Sequence, residues 1–235
     1  MTYILLAAGK GMRLLPLTLH HPKTLYKLDK HTTVLERMVR LIQKHDSSAE
    51  IVVVTGFMPD LLSSQLKGEV ILVNNPFYAV TNSVASLWFA REYLDREHVV
   101  IINGDIVMEE RAVREIICQP QDEPMVLLDS SIKNNGDYNV QVSGDSVLVM
   151  SKGLDNYYGE YAGVSMLNRE AALLLKKEVE DMLAQEVYDQ WYENALVLLI
   201  FRDNFRLGYR DVSQYQWTEV DCVDDMIMAR KIHEL

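Results

Sequence analysis

The stretch that decides the fold is Tyr3-Ile4-Leu5-Leu6-Ala7-Ala8-Gly9-Lys10-Gly11-Met12-Arg13, close to the start of the chain. Its apolar half predicts a buried strand, and the small residues after it predict a turn whose backbone N–H groups can approach phosphates closely. Arg13 ends this turn, and Lys23 follows in Pro22-Lys23-Thr24-Leu25. A forked donor and an ammonium suit a polyphosphate, so both are candidate phosphate ligands. The glycine turn alone is also compatible with a simple chain reversal, because it has neither the Walker spacing nor the dinucleotide-binding spacing.

Strand-like apolar runs recur through the first half of the chain and alternate with segments of helical period. The runs are Tyr3–Leu6, Ile51–Val54, Val70–Val73, Val99–Ile102 and Met125–Leu128. This alternation predicts an α/β fold with a parallel, doubly wound sheet. A first helix is expected at Thr33, because Thr33-Val34-Leu35-Glu36 has the pattern of a capping box, and a second from Asn82 to about Tyr93.

The pattern changes after Ser131. Three shorter strands are expected in succession, around Asn139–Val142, Val147–Met150 and Ala162–Leu167, and we expect them to form a small antiparallel flap over the carboxyl edge of the sheet. A long helix is expected from Arg169 to about Leu183, and a closing helix from Val223 to about His233. Because no repeat or flexible linker interrupts the chain, we expect a single domain over residues 1–235.

The composition narrows the classes of partner. The 235 residues are 49% hydrophobic and carry a formal net charge of -11, with a pI of about 5.0. Such a charge disfavours nucleic acids and anionic membranes, and any phosphate site must hold local cations or a metal ion. Cys118 and Cys222 are far apart, and the chain has neither a basic leader nor an apolar run long enough to span a membrane. These features lead us to expect a soluble cytoplasmic protein.

Two aspartates end strand-like runs. Asp105 closes Val99-Val100-Ile101-Ile102-Asn103-Gly104-Asp105, and Asp221 closes Trp217-Thr218-Glu219-Val220-Asp221. Ligands of doubly wound sheets bind at the carboxyl ends of the strands, and two carboxylates with phosphate oxygens make the all-oxygen site that Mg²⁺ prefers. For either aspartate taken alone, a helix cap is the commoner role.

The first motif continues through Leu14-Leu15-Pro16-Leu17-Thr18, and the whole run with Pro22-Lys23-Thr24-Leu25 resembles the signature of the nucleotidyltransferase superfamily that makes nucleotide-sugars and CDP-alcohols. The resemblance implies a three-layer, Rossmann-like, doubly wound mixed sheet of the nucleotide-diphospho-sugar transferase type. Residues 1–130 would form its nucleotide-binding half, and residues 131–235 its acceptor-binding half. The resemblance also implies catalytic roles for Arg13, Lys23 and Lys152 and metal-binding roles for Asp105 and Asp221. Its nucleotide-binding positions at the sheet edge are Leu6, Ala7, Ala8, Gly9, Gly11 and Gly104.

The segment Asn75–Leu87 offers amides and hydroxyls at a loop-to-helix junction, where they could read a base edge or a ribose. The spacing of Tyr78, Asn82, Ser86 and Leu87 resembles bacterial choline-phosphate cytidylyltransferases. The resemblance implies nucleotide-binding roles for Asn82 and Ser86 and favours CTP over UTP or dTTP. Asn82 is also a good helix N-cap, an alternative that the sequence leaves open.

A second local resemblance to that family lies in Gln190-Trp191-Tyr192-Glu193-Asn194. Aromatic faces beside a carboxylate suit an ammonium head group, which makes Trp191, Tyr192 and Glu193 candidate acceptor ligands. Tyr138 and Glu219 could complete the pocket, with Trp217 a weaker candidate. The alternative is that the aromatic pair packs into the core with Leu196 and Leu199. Asp137-Tyr138-Asn139 departs from the bulkier aromatic pair of the family, so the acceptor stays open among phosphocholine, phosphoethanolamine, 2-aminoethylphosphonate and other small phosphorylated amines or amides.

These residues predict attack by an acceptor phosphate or phosphonate on the α-phosphorus of CTP, with release of pyrophosphate and with Mg²⁺ as cofactor. An ionised acceptor needs no general base, in keeping with the lack of a Ser-His-Asp or Cys-His set in the sequence. The first alternative is a sugar-1-phosphate nucleotidylyltransferase using CTP, UTP or dTTP. The second is a catalytically silent nucleotide-sensing module. The sequence leaves the oligomeric state open, a homo-oligomer included.

Overall fold

The computed structural model describes residues 1–66, 70–132, 138–203 and 205–235; Asp137 of the Asp137-Tyr138-Asn139 stretch lies outside these ranges. The strands are β1 (Thr2–Leu6), β2 (Glu50–Thr55), β3 (Ile71–Asn74), β4 (His98–Asn103), β5 (Ile106–Met108), β6 (Met125–Asp129), β7 (Asn139–Ser143), β8 (Ser146–Ser151), β9 (Gly159–Asn168), β10 (Gly208–Asp211) and β11 (Trp217–Glu219). The helices are α1 (Val34–His45), α2 (Pro59–Gln65), α3 (Ser83–Phe89), α4 (Glu110–Ala112), α5 (Arg169–Ala184), α6 (Glu193–Asp203) and α7 (Val223–His233). Short 3₁₀ turns occur at Met12–Leu14, Leu17–Leu19, Lys23–Leu25 and Arg91–Leu94, and α4 continues as a π-helical turn over Val113–Ile117.

Nine of these strands form one mixed sheet in the order β3-β2-β1-β4-β9-β6-β10-β8-β7. Strand β1 pairs in parallel with β2 on one side and with β4 on the other, whereas β9 is antiparallel to both β4 and β6. Because β1 to β3 extend in one direction and β4 begins on the other side of β1, the order of strands reverses between β1 and β4. A crevice at the carboxyl ends of these two strands is therefore expected to bind ligands.

Helices cover both faces of the sheet, which gives three layers. Side chains alternate between the faces along β1, so Tyr3 and Leu5 pack toward α1, α2 and α4, while Ile4 packs toward α3, α5 and α6. A third, smaller cluster joins α7 to Leu14 and Val107. In the described ranges, none of the helices combines the length with the apolar character that crossing a bilayer requires.

The structure confirms the five strands predicted in the first half, and each predicted end lies within one residue of the observed end. Helix α1 has the predicted capping box, in which Thr33 accepts from the Glu36 N–H and the Glu36 carboxylate accepts from the Thr33 N–H. The second predicted helix is divided, because α3 ends at Phe89 and a 3₁₀ turn follows. Of the three strands predicted as an antiparallel flap after Ser131, β7 and β8 form a hairpin at the edge of the main sheet, where they pair with β9 and β10. The third, β9, lies within the main sheet between β4 and β6, so its predicted place in the flap is wrong.

Candidate active site

The site forms where the sheet reverses its order. Leu6 ends β1 beside Asn103 at the end of β4, and the Gly104 N–H donates to the Leu6 carbonyl at 2.9 Å. A Cβ at Gly104 would lie 2.8 Å from that carbonyl oxygen, so the two strand ends can lie this close only with a glycine here. Asp105 follows directly and is thereby held at the rim of the crevice.

A separate two-stranded ribbon brings Asp221 next to Asp105, although the two residues are far apart in the sequence. Strand β11 pairs antiparallel with β5, with Glu219 opposite Ile106, and the Val220 N–H donates to the Asp105 carbonyl at 3.1 Å. Asp105 therefore precedes a strand and not the helix that the capping alternative needed. Asp221 precedes α7, but its side chain faces the crevice, and the N–H groups just before that helix donate to Asp225.

Three carboxylates and two cations converge at this point. Asp105, Glu219 and Asp221 each offer an oxygen, and these atoms all lie within 4.8 Å of one another. The Lys23 ammonium contacts Asp105 directly and lies 2.9 Å from an Asp221 oxygen, while the Arg13 guanidinium lies 2.6 Å from the other. The structure thus brings together the predicted metal ligands and the two cations predicted to hold phosphates.

The electrostatics of this cluster are strongly coupled. Burial by itself lowers the pKa of Lys23, but the negative charges of Asp105 and Asp221 outweigh burial and raise it. Burial raises the pKa of Glu219, and the neighbouring charges of Asp105 and Asp221 raise it further. Lys23 is therefore held as a cation, and the carboxylates carry more negative charge than one ammonium can balance.

The same cluster fits a small divalent cation. The Oδ1 atom of Asp105 is buried and receives no hydrogen bond from any of the described residues. A buried carboxylate oxygen without a donor is costly unless a cation meets it, and carboxylate oxygens are the ligands that Mg²⁺ prefers. Asp105 and Asp221 would hold such an ion, with Glu219 within reach.

The glycine turn lies over these cations. Leu6, Ala7, Ala8 and Gly9 line an open cavity of about 240 Å³. Gly11 lies behind its wall in a left-handed conformation, where a Cβ would lie 3.0 Å from Lys23. Gly11 is thus placed to let Lys23 approach the acidic cluster, and it does not face the cavity.

One side of the cavity is formed by the loop before α3. Asn82 caps this helix through a 2.8 Å bond from the Ser83 N–H and also lines the cavity, so both interpretations of Asn82 agree with its position. Ser86 lines the cavity from the first turn of α3. The Asn82 and Val84 N–H groups donate to the carbonyls of Tyr188 and Gln190, which ties the following aromatic segment to this helix.

A neighbouring part of the cavity wall is aromatic. The Tyr138 ring packs edge-on against Trp191 with centroids 5.3 Å apart, and the Tyr138 hydroxyl donates to Asn194 at 2.9 Å. The Lys152 ammonium, directly after β8, lies 4.0 Å from the centre of the Trp191 ring. Trp191 therefore presents a face that already binds a cation, within the same cavity as the phosphate-type ligands.

The two neighbours of Trp191 differ in their surroundings. Tyr192 is fully buried, and its hydroxyl bonds to Tyr161 at 2.6 Å and Ser165 at 3.1 Å, so its predicted contact with an acceptor is wrong and the core-packing alternative is right for this residue. Its phenol lies beneath the cavity wall.

Glu193 begins α6 and lines the cavity although it is only 5% exposed. Burial raises the pKa of Glu193 to about 7 and the charge of Asp105 adds to this rise, against a hydrogen bond from Asn103.

Most of the predicted site residues line this cavity, namely Leu6, Ala7, Ala8, Gly9, Arg13, Lys23, Asn82, Ser86, Asp105, Tyr138, Lys152, Trp191, Glu193 and Glu219. Asp221 lies at its rim, and it lines an adjoining acidic cleft together with Trp217. Gly11 and Gly104 act behind the wall. Five residues that were not predicted as site residues also line the cavity, namely Thr24, Thr81, Ser83, Asn103 and Tyr161. Thr81 and Ser83 flank Asn82, so the predicted helix cap could have indicated that they lie near the site. No feature of the sequence indicates this for Tyr161.

The fold and the site together are those of a nucleotidyltransferase. Residues 3–185 match the MobA-like NTP transferase domain, and the chain belongs to this family. A CTP:phosphoglutamine cytidylyltransferase of Campylobacter jejuni is 29% identical over 139 residues, which cover 56% of this chain and about half (53%) of the relative. A 2-aminoethylphosphonate cytidylyltransferase of Lancefieldella rimae is 24% identical over 228 residues, which cover 95% of this chain and 89% of the relative.

Solved structures share the whole architecture. The CTP:phosphocholine cytidylyltransferase of Streptococcus pneumoniae superimposes with a TM-score of 0.82 at 20% identity, covering 99% of this chain and 98% of that one. An inositol-1-phosphate CTP transferase of T. maritima gives a TM-score of 0.78 at 18% identity, covering 99% and 96% of the two chains. At such identities the likeness shows the fold, and it confirms the predicted nucleotide-diphospho-sugar transferase type.

Proposed function

We propose that this protein is a cytidylyltransferase that transfers CMP from CTP to a small phosphorylated or phosphonated amine and releases pyrophosphate. The observation that carries the proposal is the composition of one cavity. Arg13, Lys23 and the carboxylate cluster form one part of its lining, and Trp191 with an ammonium on its face forms another. A site of this kind suits an acceptor that is anionic at one end and cationic at the other.

The nucleotide would lie along the glycine turn. Backbone N–H groups of Ala8 and Gly9 can approach its phosphates, whereas the Ala7 N–H donates to the Val54 carbonyl at 2.9 Å. Arg13 and Lys23 supply the positive charge that a protein of net charge -11 otherwise lacks. A divalent cation held by Asp105 and Asp221 would stabilise the charge that develops on the leaving pyrophosphate. Its binding would also compete with Lys23 for the two aspartates, which frees the Lys23 ammonium to contact phosphate oxygens.

The reaction needs no enzyme nucleophile. An oxygen of the acceptor phosphate or phosphonate attacks the α-phosphorus, the bond to the β-phosphate oxygen breaks, and pyrophosphate carries away the electron pair. Since the attacking group is already ionised near neutral pH, the residues act by positioning it and by offsetting charge. Lys152 lines the same cavity, where its ammonium can leave the Trp191 ring for the acceptor phosphate.

The ammonium of the acceptor would take the place that Lys152 holds on Trp191. A cation over an indole ring is attracted by the ring quadrupole, and the partly desolvated Glu193 carboxylate adds a charge partner in the same cavity. Tyr138 holds Trp191 edge-on and so fixes the orientation of the face. The curated relatives act on phosphoglutamine and on 2-aminoethylphosphonate according to their names, and both names support a small anionic acceptor with CTP.

The proposal is tested by measuring pyrophosphate release in a panel. CTP, UTP and dTTP are each combined with phosphocholine, phosphoethanolamine, 2-aminoethylphosphonate, phosphoglutamine and glucose-1-phosphate, with Mg²⁺ present throughout. We expect turnover with CTP and one of the nitrogen-containing acceptors. Turnover with the sugar phosphate alone would replace the proposal by a sugar-nucleotide synthase, and nucleotide binding without turnover on any acceptor would point to a sensing module.

A further inference from the structure

Asn75 is a buried amide that no part of the proposed reaction uses. It follows β3 directly, it is 0% exposed, and its side chain contacts two groups of the loop that leads into α3 and one in the first turn of that helix. Two of these groups, Thr81 and Ser86, line the cavity beside Ala7 and Ala8. The hydrogen bonds of Asn75 therefore reach the cavity wall without Asn75 itself being exposed there.

The orientation of the Asn75 carboxamide is fixed by a backbone donor. The Phe77 N–H donates to Asn75 Oδ1 at 2.9 Å, and a backbone N–H cannot accept, so this end of the amide must be the oxygen. The amino end then faces the two hydroxyls, with Nδ2 3.1 Å from Thr81 Oγ1 and 3.1 Å from Ser86 Oγ. Both hydroxyl oxygens consequently accept a hydrogen bond from Asn75.

These bonds leave the two hydroxyls with opposite capacities. The Thr81 hydroxyl donates its hydrogen to the Phe77 carbonyl at 2.9 Å, so toward the cavity it has only a lone pair to offer. The Ser86 hydroxyl meets no acceptor among the described residues, and its hydrogen remains available to a ligand. The wall thus presents an acceptor at Thr81 and a donor at Ser86.

We propose that Asn75 is a positioning residue that sets the hydrogen-bond polarity of the base subsite and so selects a 4-aminopyrimidine nucleotide over a 4-oxo one. The inference rests on the proposed use of CTP and extends it to the origin of base selectivity. Cytosine carries an amino donor next to ring acceptors, which complements Thr81 and Ser86, whereas uracil and thymine carry an acceptor in place of the amino group. Turning the Thr81 hydrogen toward a 4-oxo base would break its bond to the Phe77 carbonyl, and the Ser86 hydrogen cannot turn toward Asn75, which presents only N–H donors there.

The test measures the dissociation constants of CTP and UTP by titration, without an acceptor, so that the readout does not depend on turnover. Asn75→Asp turns both hydroxyls toward the carboxylate and removes the donor at Ser86. Thr81→Val removes the acceptor with little change in shape, and it serves in place of Asn75→Asp where the buried carboxylate prevents folding. For both variants we expect the ratio of the UTP constant to the CTP constant to fall by about tenfold, the effect of one mismatched buried hydrogen bond.

The matched control is Thr55→Val. Thr55 is a buried hydroxyl one strand away that bonds to Val73 and Asn74 and does not line the cavity, so its loss should leave the ratio unchanged. A purely structural defect would weaken both nucleotides equally and would also leave the ratio unchanged.

The outcomes separate the two proposals. A protein that binds CTP preferentially while both Asn75→Asp and Thr81→Val keep the wild-type ratio overturns the polarity inference alone. A protein that binds CTP preferentially, shows the expected fall in ratio and turns over no acceptor overturns the proposed reaction alone. A wild-type preference for UTP overturns both.

Discussion

Glu193 is a buried carboxylate whose protonation should control how stable the free protein is. It is 5% exposed, and burial raises its pKa to about 7 from an ordinary value of 4.5. Replacing it by Gln keeps the shape and can keep the hydrogen bond with Asn103, but removes the charge that the interior disfavours. Among the groups around it, Asp105 adds negative charge, Glu219 is a carboxyl whose own pKa is raised, and Tyr138, Tyr161 and Tyr192 offer uncharged phenols.

The sign of the effect follows from the raised pKa. Below pH 4.5 the carboxyl is protonated in both the folded and the unfolded chain, and the stability linked to this group is fully present. Between pH 4.5 and about 7 the unfolded chain loses the proton while the folded chain keeps it, so stability is lost as the pH rises. The whole shift corresponds to about 3 kcal/mol, of which about 2–3 kcal/mol should fall between roughly pH 5 and pH 8.5.

Urea denaturation of the metal-free protein at these two pH values measures the free energy of unfolding. Relative to wild type, Glu193→Gln should be more stable at the higher pH. Its free energy of unfolding should also differ much less between the two pH values. Glu178→Gln is the control, because Glu178 is also 5% exposed but forms a 3.0 Å ion pair with Arg202 that joins α5 to α6. If the free energy of unfolding of Glu193→Gln still differs between the two pH values by as much as that of wild type, Glu193 is not the source of the pH dependence.

Three further predictions test the site. Asp105→Asn or Asp221→Asn should reduce pyrophosphate release by about a hundredfold or more while circular dichroism and melting remain those of a folded protein, and wild-type turnover by both variants would remove the metal assignment. Trp191→Leu should raise the acceptor KM by about threefold to thirtyfold with the CTP KM unchanged, whereas Trp88→Leu, which loses an equivalent 4.0 Å Arg contact outside the cavity, should leave the acceptor KM as it is. Tyr192→Phe should cost about 1–2 kcal/mol in urea denaturation without changing the acceptor KM, and an increase in that KM would return Tyr192 to the cavity wall.

The sheet could be predicted from sequence because its central strands are buried on both faces. Val99–Ile102 and Ile51–Val54 are continuous apolar runs that few structures other than a covered parallel strand accommodate. Asp105 could be predicted as a site residue for the same reason, since it ends such a run. The pairing of Asp221 with Asp105 could be taken only from the resemblance, because it depends on β5 and β11, two strands of three residues each that carry no periodic signal.

The part of the cavity wall formed by the loop before α3 and the start of that helix shows a second limit of sequence reasoning. The segment Asn75–Leu87 displays its amides and hydroxyls openly, and those of Asn82 and Ser86 could be placed near a ligand. The role of Asn75 could not, because it depends on the loop returning the Phe77 N–H to the Asn75 oxygen. Residue types alone leave a hydroxyl free to donate or accept, and only the surrounding hydrogen bonds decide between the two.

Trp191 lines the cavity and Tyr192 is buried in the core, although the two aromatic residues are adjacent. Both immediately precede α6, in a non-helical segment where the two side chains point in different directions. The hydrogen bond from the Tyr192 N–H to Ser83 Oγ, at 2.9 Å, fixes this segment against α3. Tyr192 is then directed into the core toward Ser165, and Trp191 toward the cavity, where Lys152 meets it. One residue of register at this junction therefore separates a cavity-lining indole from a structural phenol.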